Sequence, residues 1–352
     1  MKRAVKKGKE IILGHIGICI LLLCIAPFLF IGNRVFQDIG GNDVRQAPAD
    51  SEAQDLIVVG FSQLGSESGW RTAHTMSVQN ALTTDAGYFL IFNNARQMQE
   101  NQIKAIRSFI SQRVDYIVFA PVIEDGWDTV LQEAKDAGIP VIIIDRQVNV
   151  QDESLYTAWI GMDALEEGRK AGRWLEQYLD DKKRQSETVN IVVLQGTIGS
   201  TAEIGRTKGF GEIAAQHANW RILESATGEF TANKGKEVMR EILQRYPDID
   251  VLVSQNDDMT MGALEAMQEA GVSFGEQGSV TVISFDATRD ALELVKEGVI
   301  NVDIECNPVQ GGYIDEIIRK LEKGEVVEKY CVVEEEVFTK ENAADFLKDR
   351  TY

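Results

Sequence analysis

An apolar run at residues 58–61, Val-Val-Gly-Phe, gives way to Ser62-Gln-Leu-Gly-Ser-Glu-Ser-Gly-Trp-Arg71. The run reads as a buried strand, and it delivers a carboxamide (Gln63), a carboxylate (Glu67), an indole (Trp70) and a guanidinium (Arg71) to one point. Four later runs end in the same manner. Residues 141–144 lead to Asp145 and Arg146, 191–194 to Gln195 and Gly196, 251–254 to Asn256 and Asp257, and 283–285 to Asp286. Carboxylates, carboxamides and guanidinium forks grip neighbouring hydroxyls two at a time, and a tryptophan face covers the C–H side of a sugar ring. The set is planar, polar and almost free of histidine and thiol, which is the chemistry of holding a polyhydroxylated ligand.

Other chemistries find little to build on. The three histidines, His15, His74 and His217, are too scattered for a metal cluster or a catalytic dyad. No glycine-rich phosphate loop follows the first strand. No cofactor and no enzymatic activity are expected. Taken alone, Asp145-Arg146 also fits a salt bridge at a strand end, Trp70 fits packing beneath a helix, and Arg206 and Asn256-Asp257 fit helix starts. Trp127, Trp159, Trp174 and Trp220 read as packing.

The elements that must position these residues follow from periodicity. Strand-like runs at 56–61, 88–93, 116–120 and 141–144 alternate with amphipathic stretches at 69–82, 99–112 and 126–137. A second series has runs at 190–195, 221–225, 251–254 and 280–285, with helical stretches at 203–216, 231–245, 259–270 and 288–297. A long helix at 164–180 and a charged turn at 180–184 separate the two. Alternation of this kind means parallel sheets covered on both faces, hence an α/β chain of two similar lobes. Ligands of such sheets bind beyond the carboxyl ends of the strands, so two facing lobes would enclose one among the residues named above.

The chain has 352 residues and a net charge of −19. Residues 1–10 carry five basic side chains, and 11–32 run without a formal charge, long enough to span a bilayer at about 20 residues. Residues 1–34 therefore read as an export signal or anchor with its basic end in the cytoplasm; the long apolar run without a nearby small-x-small site favours an uncleaved anchor. Cys19 and Cys24 lie within it, without the small residue that a lipoprotein site needs before its cysteine. Residues 35–54 read as a polar tether. Six of the 36 basic and one of the 55 acidic residues fall at or before Arg34, leaving an excess of 24 acids beyond it. A nucleic-acid partner is thereby excluded, since phosphate binding needs a basic patch.

Across residues 55–345 the chain resembles bacterial sugar-binding proteins of the ribose-binding type (periplasmic binding protein-like I) that serve ABC transporters, and most specifically the galactofuranose-binding branch. The resemblance is carried by Gly60 to Arg71, by Gln99-Glu-Asn-Gln-Ile-Lys-Ala-Ile-Arg-Ser108, by Ala120-Pro-Val122 with Gly126-Trp127, and by Ile144-Asp-Arg146. Further on it is carried by Leu194-Gln-Gly-Thr-Ile-Gly199 with Arg206 and Lys208-Gly-Phe210, by Phe230 with Lys234-Gly-Lys-Glu-Val-Met239, and by Asn256-Asp-Asp-Met259. It implies that Glu67, Trp70, Arg71, Asp145 and Arg146 contact a monosaccharide from the first lobe, and Arg206, Phe230, Asn256 and Asp286 from the second. Two departures bear on the sugar: Phe285 precedes Asp286 where the branch has a small residue, and Cys306-Asn307 stands where ribose binders use glutamine.

The resemblance also implies three crossings between lobes, placed near 161, 306 and 329, and a hinge that closes on the ligand. The first lobe then comprises 55–161 with 307–328, the second 162–306 with 329–345. Cys306 and Cys331 fall at two crossings, where either a disulfide restraining the hinge or two free thiols would be permitted outside the cell. The implied function is an extracytoplasmic receptor delivering a monosaccharide to an ABC permease. A tethered sugar sensor docking onto a histidine kinase or chemoreceptor is the alternative. A repressor is disfavoured, because residues 1–54 offer an apolar span where a DNA-binding helix-turn-helix would be needed.

Overall fold

The inner strands are largely apolar and mostly buried, and their burial on both faces decides the architecture. In the computed structural model, which describes residues 55–352, β1 (Ile57–Gln63), β2 (Tyr88–Asn94), β3 (Tyr116–Phe119), β4 (Val141–Asp145) and β5 (Ala158–Gly161) build the first sheet. The second contains β6 (Val189–Gln195), β7 (Trp220–Thr227), β8 (Val251–Ser254), β9 (Thr281–Asp286) and β10 (Val302–Glu305). With β11 (Tyr330–Val332) and β12 (Val337–Phe338), the strand orders are β11-β5-β4-β3-β1-β2 and β12-β10-β9-β8-β6-β7. All pairs are parallel except β10 with β12. The α/β reading of two similar lobes holds.

Between the strands lie α1 (Gly69–Ala81), α2 (Gln99–Gln112), α3 (Asp128–Asp136), α4 (Ala164–Asp181), α5 (Thr201–Ala214), α6 (Ala232–Arg245), α7 (Asp257–Glu269) and α8 (Arg289–Glu297). α9 (Gly311–Glu322) and the short α10 (Ala343–Phe346) follow. Several helices start on a side-chain cap: Ser68 Oγ accepts from the Arg71 N–H and Asn256 Oδ1 from the Met259 N–H, each at 3.0 Å. Each lobe has a core on both faces of its sheet, with Phe61, Val118 and Ile144 on one side of the first sheet and Phe119, Trp127 and Ile143 on the other.

Three segments cross between lobes. The first, at 162–163, joins β5 to α4; the second, at 306–310, joins β10 to α9, which packs on α1 through the Gly311 N–H and Ser77 Oγ at 2.9 Å. The third lies at 333–336 rather than near 329. Tyr330, Cys331 and Val332 pair in register with Trp159, Ile160 and Gly161, so residues 330–332 belong to the first sheet and only β12 returns to the second. The two cysteines are both free. Cys306 is buried with Trp70, Met162 and Ala164, whereas Cys331 sits within β11 against the first-lobe core. Among the described residues no helix is long and apolar enough to cross a membrane; the basic and apolar segment 1–34 and the tether 35–54 lie outside them.

Candidate ligand-binding site

At the carboxyl ends of both sheets, side chains from the two lobes and the second crossing enclose a cleft with about 290 Å³ of empty space, part of it open to solvent. From the first lobe come Glu67, Ser68, Trp70, Arg71, Asp145 and Arg146; from the second, Ala202, Arg206, Phe230, Asn256 and Asp286. Met162 and Cys306 line it from the crossings. Every expected site residue except Gln63 is therefore brought together.

The first-lobe wall is a buried ion network. Arg71 donates from Nη1 to Asp145 Oδ2 at 2.6 Å and from Nε to Glu67 Oε1 at 3.0 Å. Arg146 donates from Nη1 to the Val122 carbonyl at 2.8 Å and stands 3.9 Å from Glu67 and 4.0 Å from Asp145. Burial works against both guanidinium groups. For Arg71, Asp145 and Glu67 outweigh it and hold the group above its ordinary value, while Arg146, repelled also by Arg71, is pushed down to about 10 and stays charged at neutral pH. Burial alone would raise Asp145, but Arg71 and Arg146 hold its carboxyl below the usual range.

Trp70 donates its indole N–H to the Cys306 carbonyl at 2.5 Å and stacks on His74, ring centroids 5.1 Å apart. His74 is neutral: burial and then Arg71 push it down to about 4. Gln63 belongs to this support and not to the cleft. Its amide donates to His74 Nδ1 and Thr75 Oγ1, each at 3.0 Å, and its carbonyl accepts from the Leu64 N–H. A residue at a strand end need not point outward, and here the side chain turns back under α1.

The second-lobe wall is centred on Arg206, whose Nε donates to Glu167 Oε2 at 2.6 Å and whose Nη2 lies 3.6 Å from Asp286. Burial opposes its charge, yet Glu167 and Asp286 hold it well above its ordinary value. Asp286 itself is raised by burial despite Arg206, with Asp257 and Asp258 adding to the rise. Phe230 is fixed by the Asn256 amide donating to its carbonyl at 3.2 Å, and the Arg146 guanidinium of the opposite lobe lies 5.1 Å from its ring centre. Two buried polar atoms of the first-lobe wall have no protein partner: Glu67 Oε2 and Arg146 Nε, one acceptor and one donor. Leaving such groups unpaired is costly, so a cleft that holds them leaves one acceptor and one donor for a bound polar partner. Ser68, Met162, Ala202 and Cys306 were not expected. Only Cys306 carried a signal, as the residue opening the second crossing.

A family model described as a periplasmic binding protein domain matches residues 59–314. The galactofuranose-binding protein YtfQ of Escherichia coli is 38% identical over 298 residues, covering 84% of this chain and 91% of that protein. The chain belongs to the periplasmic binding protein family. Solved members of the family agree. A Mycobacterium smegmatis structure in complex with β-D-fucofuranose is 44% identical, with a TM-score of 0.80 over 84% of this chain and 95% of that one. The binding protein of a Shewanella arabinose ABC transporter, bound to α- and β-L-arabinofuranose, is 43% identical with a TM-score of 0.77 over the same shares. Periplasmic binding proteins work outside the cytoplasm as binding components of importers, and they are not enzymes.

Proposed function

We propose that this chain captures a monosaccharide in its furanose form between its two lobes and presents it to an ABC permease. The observation that carries the reading is the pairing of two charged walls across one cleft, with Glu67 Oε2 and Arg146 Nε buried and lacking protein partners. A five-membered ring with its exocyclic hydroxyls presents donors and acceptors around its whole edge. Arg71, Asp145 and Arg146 engage one side, Arg206, Asn256 and Asp286 the other, and Trp70 and Phe230 cover the ring faces. The names of relatives between 38% and 44% identical, galactofuranose, fucofuranose and arabinofuranose, support the ring form. The apolar segment before residue 35 keeps the protein tethered at the outer face of the membrane.

The test is a thermal-shift screen of the full-length chain with L-arabinose, D-fucose, D-galactose, D-ribose and D-glucose. Binding to the folded state alone adds RT ln(1 + [L]/Kd), about 2.7 kcal/mol at a hundredfold excess over Kd. One or more sugars with a populated furanose form should raise the melting temperature, and Arg146→Ala should abolish the shift. No shift with any of them overturns the reading.

A further inference from the structure

Arg206 is the second lobe's only guanidinium in the cleft, and what holds it reaches into the hinge. Glu167 Oε2 takes the Arg206 Nε–H, but Glu167 Oε1, equally buried, receives no hydrogen bond from the protein. Glu335 of the third crossing faces it. The carboxylate oxygens of Glu167 and Glu335 and the Cys306 sulfur all lie within 4.8 Å of one another. Glu335 also accepts from the Asn307 N–H at 3.1 Å, and Lys170 Nζ donates to the Glu335 backbone carbonyl at 2.7 Å. One carboxyl thus joins α4, the second crossing and the third.

Two carboxylates this close do not both stay ionised without a further positive charge. The surrounding groups do not supply one. Arg206 of α5 is committed to Glu167 Oε2 and lies 3.6 Å from Asp286 of β9; the Lys170 ammonium of α4 goes to a backbone carbonyl. Burial pushes the Cys306 thiol well up, so it is neutral, and burial together with Glu167 pushes Glu335 up to about 10. A divalent cation could in principle bridge the three ligand atoms. Arg206 already compensates Glu167 at 2.6 Å, however, and one proton suffices to neutralise the remaining charge.

We infer that Glu335 keeps a proton, donates it as a hydrogen bond to the free oxygen of Glu167, and so positions Arg206 for the ligand from within the hinge. The inference rests on the sugar-binding reading of the cleft, but its first test does not. In ligand-free protein at pH 8, the infrared difference between wild type and Glu335→Gln should show the carbonyl stretch of a protonated carboxylic acid, lost in the variant. Glu335→Gln still donates to Glu167 and should bind the screened sugar as wild type does, whereas Glu335→Ala should weaken Kd about tenfold or more. If the alanine variant folds poorly, the difference between pH profiles decides: above about pH 10 both proteins lose the Arg146 charge, but wild-type affinity should fall more steeply than that of Glu335→Gln because it also loses the shared proton. Absence of the acid band, a Kd for Glu335→Ala equal to wild type, or stoichiometric Zn²⁺ uptake abolished by Glu335→Gln would each overturn it. A wild-type protein that binds no sugar sinks the proposed function instead, and leaves the infrared result to decide the proton.

Discussion

Three residues lining the cleft hold backbone conformations that their types rarely adopt: Asp145 at φ 62°, Phe230 at φ 60° and Asp286 at φ 109°. Each costs about 1–3 kcal/mol and persists only where the surroundings over-determine it. Asp145 is held by its N–H donating to Gln310 Oε1 at 3.1 Å, and the Phe230 ring by the bare backbone of Gly196. A Cβ at position 196 would stand 1.9 Å from Phe230 Cζ. Gly196→Ala must therefore displace the ring, with a melting-temperature loss equivalent to about 1–3 kcal/mol and a larger fractional loss of sugar affinity by calorimetry. Unchanged affinity would remove Phe230 from the site. The two first-lobe arginines should also differ. Arg71→Ala strands two buried carboxylates and should destabilise the fold by about 3–5 kcal/mol. Arg146→Ala, whose carboxylate neighbours are 3.9 and 4.0 Å away, should cost far less stability while removing ligand binding.

The helix α1, which carries Trp70 and Arg71, has no acid in its own first turn; the opposite lobe supplies one, the Gly69 N–H donating to Asp258 Oδ2 at 3.0 Å. A carboxylate suits a helix N-terminus, but burial pushes Asp258 up to about 6, with Asp257 and Glu67 adding to the rise and the Gly69 N–H opposing it. Arg96, Arg289 and Asp290 line the grooves that flank it. The sign follows from which state binds the proton more tightly. With the lobes apart, a solvated aspartate titrates near 3.9, so closure takes up a proton as pH falls through 6 and sugar affinity should rise from pH 7.5 to pH 5. Asp258→Asn keeps an acceptor and should flatten that profile; Asp258→Ala removes the cap and should weaken binding at every pH by about 0.5–2 kcal/mol. A flat wild-type profile would show that closure does not bury this carboxyl. Little of this contact is legible in sequence, where Asn256-Asp257-Asp258 reads as a helix start and nothing names α1 as the partner. What is legible are strands such as β3, β4 and β8, uninterrupted apolar runs that must be buried on both faces. β5 and β10, with sequences AWIG and VDIE, are four residues long and β11 is three, too short for a period to mark them as strands, so the sequence places the third crossing too early. Glu67, Arg71, Asp145, Arg146, Asn256 and Asp286 could be read because each follows a strand-like run, whereas Arg206, inside α5, is legible only through the family resemblance; Ala202 and Met162 offer only shape, and the rotamer that turns Gln63 inward is fixed by His74, eleven residues away.

Taken as a whole, the molecule divides its buried charge unevenly, and the two lobes should respond to pH in opposite directions. In the first, Asp145 is held low by Arg71 and Arg146 against the pull of burial. Its contribution to stability is present above the unfolded value near 3.9 and is lost as pH falls through the lower folded value. In the second, burial raises Asp257, Asp286 and Asp303, the last two well above their ordinary value. Asp257 is stabilised by Ser284 Oγ and the Thr288 N–H, each at 2.7 Å, and Asp303 Oδ2 lies buried without an assigned partner, as expected of a carboxyl that keeps its proton beside Asp257. Groups raised in this way contribute stability that is fully present below the unfolded value and drains away as pH rises through the folded ones. Amide hydrogen exchange of the ligand-free protein, resolved by peptide, should therefore show β1, β3 and β4 losing protection first on acidification to about pH 3, and β8, β9 and β10 losing it first on moving to about pH 9. Asp303→Asn, which replaces the proton with an amide, should restore protection at the alkaline end and leave the acid end unchanged. Protection lost in parallel by both sheets at both extremes would mean that the buried acids do not set local stability, and that the lobes open as one cooperative unit.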